Sequence, residues 1–246
     1  MSAIFQLQNQ IIPTYLCDSD DRLHIWAVAR LFQDVAEKHT NVTNIGFHHL
    51  MNQGKAWVVS RMYYQIHSLP AVGDNVMLNT WSKGVNGLYA LREFQMIDEK
   101  DGAVLASASS YWVVIDFQRR KASRLDTLMD GYEHYQQEAT DKPTLYKIPR
   151  NTIEEFSLVS TFAAHYSNLD HTQHVNNAEY LKWIFDFLPP EVTPAQVKSI
   201  DIDYILESRA DETISLFRSP IYNDSELYFK ILNPRGDSFI ARLVIR

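Results

Sequence analysis

The densest group of side chains able to do chemistry is the run Asp170-His171-Thr172-Gln173-His174-Val175-Asn176-Asn177. It separates an apolar strand-like segment from an apolar helical one, so a loop there packs against a rigid frame. Asn176 and Asn177 are both good helix N-caps, because an Asn side-chain oxygen accepts from the unbonded N–H groups of a first turn. The other first-turn N–H groups then point outward beside an Asp and two His. A carboxylate, an imidazole that titrates near neutrality and backbone donors for a developing oxyanion form the set that acyl transfer needs. The plainer reading is a capped helix start with solvated loop histidines. Metal binding by Asp170, His171 and His174 has little support, since H-E-x-x-H and a third spaced ligand are missing. Neither a metal nor a cofactor is expected.

The chain behind this cluster has 246 residues, enough for one large domain or two small ones. It is 46% hydrophobic and 22% charged, which places it among folded globular proteins. No run of about 18 apolar residues spans a membrane as a helix. The start, MSAIFQLQNQ, lacks a basic segment followed by an apolar run, which predicts no signal peptide. One cysteine, Cys17, excludes an internal disulfide and multi-cysteine metal sites, so a cytoplasmic setting is expected. Eight glycines, none spaced as G-x-G, exclude the dinucleotide fingerprint and the P-loop. A net charge of −7 argues against broad nucleic-acid binding.

Positioning the cluster requires two similar halves. Residues 25–39 have a helical period, with Ile25, Val28, Ala29, Phe32, Val35 and Ala36 on one stripe. Strand-like runs follow at Trp57–Ile66, Val76–Ser82, Leu88–Ile97 and Ala103–Phe117. At roughly 3.3 Å per residue the last would approach 50 Å, too long to stay flat, so a curved antiparallel sheet around the helix is predicted. After a polar stretch the order repeats. A strand at Phe156–His165 precedes a helical stripe of Tyr180, Leu181, Ile184, Phe185 and Leu188. Strands are then expected near Val197–Glu207, Thr213–Phe217, Glu226–Leu232 and Ser238–Ile245. A shift of 150 residues puts Asp20 on Asp170, His24 on His174, Ile25 on Val175 and Leu31 on Leu181, which reads as duplication. The fold class is therefore α+β, two helix-plus-curved-sheet modules.

The stretch D-x-T-Q-H-V-N-N-A-E-Y-L-x-W resembles the C-terminal motif of acyl-acyl carrier protein thioesterases. KAWVVSRMYYQIHSLPAVGDNVMLNTW and ASASSYWVVIDFQRRKASRL resemble their first half, and the likeness covers roughly residues 3–232. It implies a tandem hotdog fold, with an N-terminal module at 1–130 for the acyl chain, a linker at 131–150 and a catalytic module at 151–246. It also implies hydrolysis of fatty acyl-acyl carrier protein, which releases free fatty acid and ends chain elongation. The catalytic Asp, His and Glu of the family fall on Asp170, His174 and Glu207. Thr172 stands where the family has Asn, and Ser208 where plant members have Cys, so no cysteine nucleophile is available. Asn176 and Asn177 would face the thioester. The implied partner is acyl carrier protein, an acidic protein that needs a local basic patch. Arg119, Arg120, Lys121 and Arg124 form the clearest one, with Lys142, Lys147 and Arg150 as rivals. A monomer and a homodimer both fit. Three other readings remain: an acyl-coenzyme A thioesterase, a noncatalytic acyl-binding module, and a hotdog dehydratase.

Overall fold

The first helix forms where its apolar stripe predicts. The computed structural model, which describes residues 4–119, 121–149, 153 and 155–246, places α1 at Ile25–Val42. All six stripe residues are buried, and the ring of Phe32 stacks on that of Phe94 with centroids 5.1 Å apart. A short α2 follows at Phe47–Met51. Strands β1 (Ile4–Ile11), β2 (Lys55–Ile66), β3 (Asn75–Asn86), β4 (Tyr89–Asp98) and β5 (Val104–Asp116) complete the first unit, with a two-residue β6 at Lys121–Ala122. Their order is β1-β3-β4-β5-β2, antiparallel throughout, with β6 paired to β5. The long β5 stays paired on both sides by means of bulges, with Ser60 the extra residue on β2 and Leu105 the extra residue on β5 opposite Met96/Ile97 of β4. Each extra residue bends its strand and increases the twist. Strand β1 is half-polar and was not visible in the hydrophobic pattern.

The chain divides at Leu145/Tyr146. Residues 131–145, read from the sequence as the start of a linker, are fastened along the first unit. The Trp81 indole N–H donates to the carbonyl of Gln137 at 2.9 Å, and the Tyr63 hydroxyl to Asp141 at 2.9 Å. The Arg61 guanidinium donates to the carbonyl of Leu145 at 2.8 Å.

In the second unit, strands β7 (Ser157–Ala163), β8 (Val197–Tyr204), β9 (Thr213–Arg218), β10 (Glu226–Asn233) and β11 (Gly236–Ile245) lie in the order β8-β11-β10-β9-β7. All these pairs are antiparallel. Helix α3, Asn177–Asp186, covers the sheet with Tyr180 stacked on Phe239 at 5.2 Å and Trp183 edge-on to Phe162 at 5.0 Å. Each unit is thus an antiparallel sheet packed on one main helix. No helix of the described residues is long and apolar enough to cross a membrane.

Candidate active site

The segment leading into α3 is held by backbone hydrogen bonds before any side chain acts. A 3-10 turn at Tyr166–Asn168 is followed by a bridge between Leu169 and Val175. The Asp170 N–H donates to the carbonyl of His174 at 2.9 Å, and that of Gln173 to Asp170 at 3.1 Å. Gln173 closes this tight loop with φ of 66°, a left-handed conformation that a side chain with a Cβ resists. The Val175 N–H bonds the carbonyl of Ser208, which brings Glu207 beside the loop.

The same frame recurs in the first unit. A 3-10 turn at Thr14–Leu16, a bridge from Cys17 to Leu23, an N–H of Asp18 on the carbonyl of Arg22 and a positive φ at Asp21 correspond one by one. The structural offset is 152 residues, because Asp18 takes the place of Asp170 and Arg22 that of His174. The offset of 150, which matched Asp20 with Asp170 and His24 with His174, is therefore corrected. Hydrogen bonds and the helix cap set the register, whereas a few matching residue types do not. The Leu23 N–H on the carbonyl of Pro70 mirrors Val175 on Ser208, so Leu69 corresponds to Glu207. The first unit thus carries Asp18, Asp20, Arg22 and Leu69 where the second carries Asp170, Thr172, His174 and Glu207. It lacks the imidazole and any carboxylate in the place of Glu207.

In the second unit those four residues form a continuous polar chain. Asp170 Oδ1 accepts the Thr172 N–H at 2.7 Å and the Thr172 hydroxyl at 2.5 Å. Thr172 Oγ1 lies 3.1 Å from His174 Nδ1, and His174 Nε2 lies 3.7 Å from Glu207 Oε1. A threonine hydroxyl has one proton. Directed at Asp170, that proton leaves Oγ1 to accept from Nδ1–H of His174, so Nε2 faces Glu207. The hydroxyl is consequently not a donor for a substrate oxygen. The imidazole is 29% exposed and the Glu207 carboxylate 43%, so solvent reaches both.

Asn176 is the N-cap of α3, its side chain accepting from the Ala178 N–H at 2.9 Å. The Asn177 N–H has no acceptor among the described residues. That leaves an unbonded first-turn donor at the positive end of the helix dipole. The Asn177 carbonyl accepts from the Tyr204 hydroxyl at 3.2 Å. His171 is exposed, and no group of three or more His, Cys, Asp or Glu that could hold a metal occurs among the described residues.

Sequence reasoning missed what holds Glu207 in place. Its carbonyl accepts from Asn233 Nδ2 at 3.0 Å and from Arg235 Nη2 at 2.5 Å. Beneath it Ser208 is fully buried, its N–H donating to the Tyr180 hydroxyl at 3.0 Å and its own hydroxyl 3.0 Å from that of Ser238. Ser208 is therefore a structural residue. Arg209 stands 3.5 Å from Glu207 Oε1. The only advance signal for Asn233 and Arg235 was the turn sequence N-P-R-G after an apolar strand.

The basic group lies on the first unit. Arg119 is 84% exposed and 3.9 Å from Asp116, Lys121 is exposed, and Arg124 pairs with Asp126 at 2.6 Å. Arg120 and Arg150 fall outside the described residues. Lys142 lies over the Tyr63 ring at 4.1 Å, which leaves it less available than Arg119.

Two family models match, the acyl-ACP thioesterase N-terminal domain over residues 5–132 and the C-terminal domain over residues 151–241. A chloroplastic acyl-[acyl-carrier-protein] hydrolase of Cuphea viscosissima is 31% identical over 212 residues, 80% of this chain and 50% of its own length. A palmitoyl-acyl carrier protein thioesterase of Cuphea hookeriana is 30% identical with the same coverage. The chain thus spans about half the length of these relatives. An acyl-ACP thioesterase structure from Bacteroides thetaiotaomicron superposes with a TM-score of 0.86 at 23% identity, over 99% of this chain and 98% of the other. The 12:0-ACP thioesterase of Umbellularia californica gives 0.85 at 21% identity, over 100% and 98%. The expected tandem hotdog fold is the observed one.

Proposed function

Since the chain belongs to the acyl-ACP thioesterase family, we propose that it hydrolyses the thioester of fatty acyl-acyl carrier protein and releases free fatty acid. The observation that carries this reading is the connected chain Asp170–Thr172–His174–Glu207 beside an unbonded helix N–H. The thioester oxygen accepts from the Asn177 N–H. Glu207 takes a proton from a water held near His174 as that water adds to the carbonyl carbon. Charge then gathers on the oxygen, where the Asn177 N–H and the helix dipole stabilise it most. As the C–S bond breaks, the proton that Glu207 took from the water passes by way of His174 Nε2 to the departing thiolate, which returns the carboxylate and the Nδ1–H imidazole to their starting forms. Asp170 and Thr172 fix the ring so that Nε2 faces the reaction. Asn176 holds the first turn in place.

We place the acyl carrier protein against Arg119 and Lys121, both exposed on the first unit. The single Cys17 suits a reducing compartment such as the cytoplasm.

The test incubates the purified protein with acyl-acyl carrier protein of several chain lengths and with matched acyl-coenzyme A, and follows fatty acid release. Release from the carrier protein by the wild type, lost in Asp170→Ala and Glu207→Ala, is expected. Release from coenzyme A alone would make it an acyl-coenzyme A thioesterase. Carrier binding without release would make it a noncatalytic module.

A further inference from the structure

Behind the candidate site lies a buried carboxylate that the fold itself does not require. Glu179, in the first turn of α3, is 2% exposed. Its Oε2 accepts from Asn168 Nδ2 at 2.7 Å. Asn168 Oδ1 accepts the His165 N–H at 2.8 Å, and the Asn168 carbonyl accepts the Asn176 N–H at 2.9 Å. The Asn168 side chain therefore ties the turn before the loop to the first turn of α3, beside the backbone bond to its N-cap.

The first unit shows the same backbone without this tie. By the 152-residue offset, Asn168 corresponds to Leu16 and Glu179 to Ala27. The His24 N–H still reaches the carbonyl of Leu16 at 3.0 Å, and the Ala27 N–H that of His24 at 2.9 Å. The frame closes equally well around two apolar residues. Burying a carboxylate is unfavourable unless its partners compensate for lost hydration. A polar pair anchored on a buried carboxylate, where an apolar pair suffices, points to a task other than folding, a recurrent pattern at functional sites.

We propose that Asn168 and Glu179 are positioning residues of the candidate site. The pair adds a side-chain link from Asn168 to the first turn of α3 beside the backbone bond from the Asn176 N–H, and this second link steadies the direction of the neighbouring Asn177 N–H relative to the Asp170–His174 loop. Glu179 acts through Asn168 and meets no reacting atom. Its negative charge at the N-terminal end of α3 also suits the helix dipole. The proposal rests on the thioesterase reading only for what the positioning serves.

The double variant Asn168→Leu/Glu179→Ala copies the pair of the first unit and is expected to fold, with a Tm equal to or above that of the wild type. Its kcat should fall roughly ten- to hundred-fold at nearly unchanged KM, as small misplacements of reacting groups do. Glu179→Gln keeps an acceptor oxygen for Asn168 and should retain most of kcat. Independently of activity, hydrogen exchange at the Asn176 amide, which is bonded to the Asn168 carbonyl, should speed up in the double variant and stay slow in Glu179→Gln. Wild-type kcat and wild-type exchange in the double variant would overturn the proposal. A lowered Tm in which Glu179→Gln fares no better than the double variant would overturn it too, since the role would then be structural. A wild type that releases no fatty acid would sink the thioesterase reading, while the exchange result would still decide this one.

Discussion

His174 Nε2 stands 3.7 Å from Glu207 Oε1, while Arg209 approaches the same oxygen at 3.5 Å. The carboxylate thus has cationic or proton-bearing groups on two sides and remains 43% exposed. Such a group is oriented without being locked, and water has access to it. Glu207→Gln keeps the shape and removes the base. It is expected to lower kcat by about 10²–10⁴, the usual contribution of a general base. Because exposed pairs contribute at most about 1 kcal/mol, its Tm should stay near that of the wild type. A variant that retains most of the fatty acid release would remove Glu207 from the mechanism.

Thr172 separates two groups that need it differently. Thr172→Val preserves volume but removes the hydroxyl donor to Asp170, which keeps only the backbone N–H of residue 172, and leaves His174 Nδ1 without its acceptor. A loss of about 1.5–3 kcal/mol in transition-state stabilisation is expected, or roughly ten- to hundred-fold in kcat. Thr172→Ser should restore most of it. Steady-state kinetics of the two variants decide the matter, and equal activity would show that the hydroxyl is idle.

Tyr180 links the core to the site. Tyr180→Phe removes the acceptor of the buried Ser208 N–H while leaving the stacking on Phe239 intact. An unsatisfied buried donor costs about 1–3 kcal/mol. Chemical denaturation should show a loss in that range, with a fall in kcat because Glu207 is the preceding residue. Unchanged stability would mean that water replaces the hydroxyl.

The first unit holds a histidine whose burial has a pH signature. His39 is 6% exposed, with Nδ1 3.1 Å from Arg92 and Nε2 3.2 Å from the Tyr132 hydroxyl, and its ring stacks on Phe5. Burial, reinforced by the Arg92 guanidinium, lowers its pKa to about 4. The unfolded chain, with a pKa near 6.5, binds this proton first. Stability is thus fully present above about pH 6.5 and is lost as pH falls toward 4, by on the order of 3 kcal/mol. Unfolding of wild type and His39→Gln between pH 7 and 4.5 should give a flatter profile for the variant. Parallel profiles would assign the acid sensitivity elsewhere.

Docking by charge has its own kinetic mark. Arg119→Glu with Lys121→Glu should raise KM for acyl-acyl carrier protein about ten-fold at low salt and leave kcat alone. The difference should fade at high ionic strength, where screening shortens the reach of surface charges. A KM indifferent to both substitutions would move the docking surface to another face.

Residue pattern alone determined a good deal here. The stripe from Ile25 to Ala36 is the buried face of α1, and most strands lie within a few residues of the apolar runs, because burial imposes period 3.6 or 2 on the sequence. Asn176 was legible as a cap from residue type and place. Strand β1 was not, because it contributes few buried side chains and is held by backbone pairing with β3.

The tertiary structure decided what spacing cannot carry. The repeat register of 152 residues depends on loop hydrogen bonds that the matching residue types contradict. Glu207 lies 33 residues from His174 in the chain, and the two are brought together by the bond from the Val175 N–H to the carbonyl of Ser208 and by the antiparallel bridge of His174 with Arg209. The cradle of Tyr180, Asn233, Arg235 and Ser238 comes from α3, the end of β10, the β10–β11 turn and β11, elements that meet only in the folded second unit. A one-dimensional pattern records which face of each element is buried. Which faces meet depends on strand order and turn geometry, and those fix the distances on which the chemistry depends.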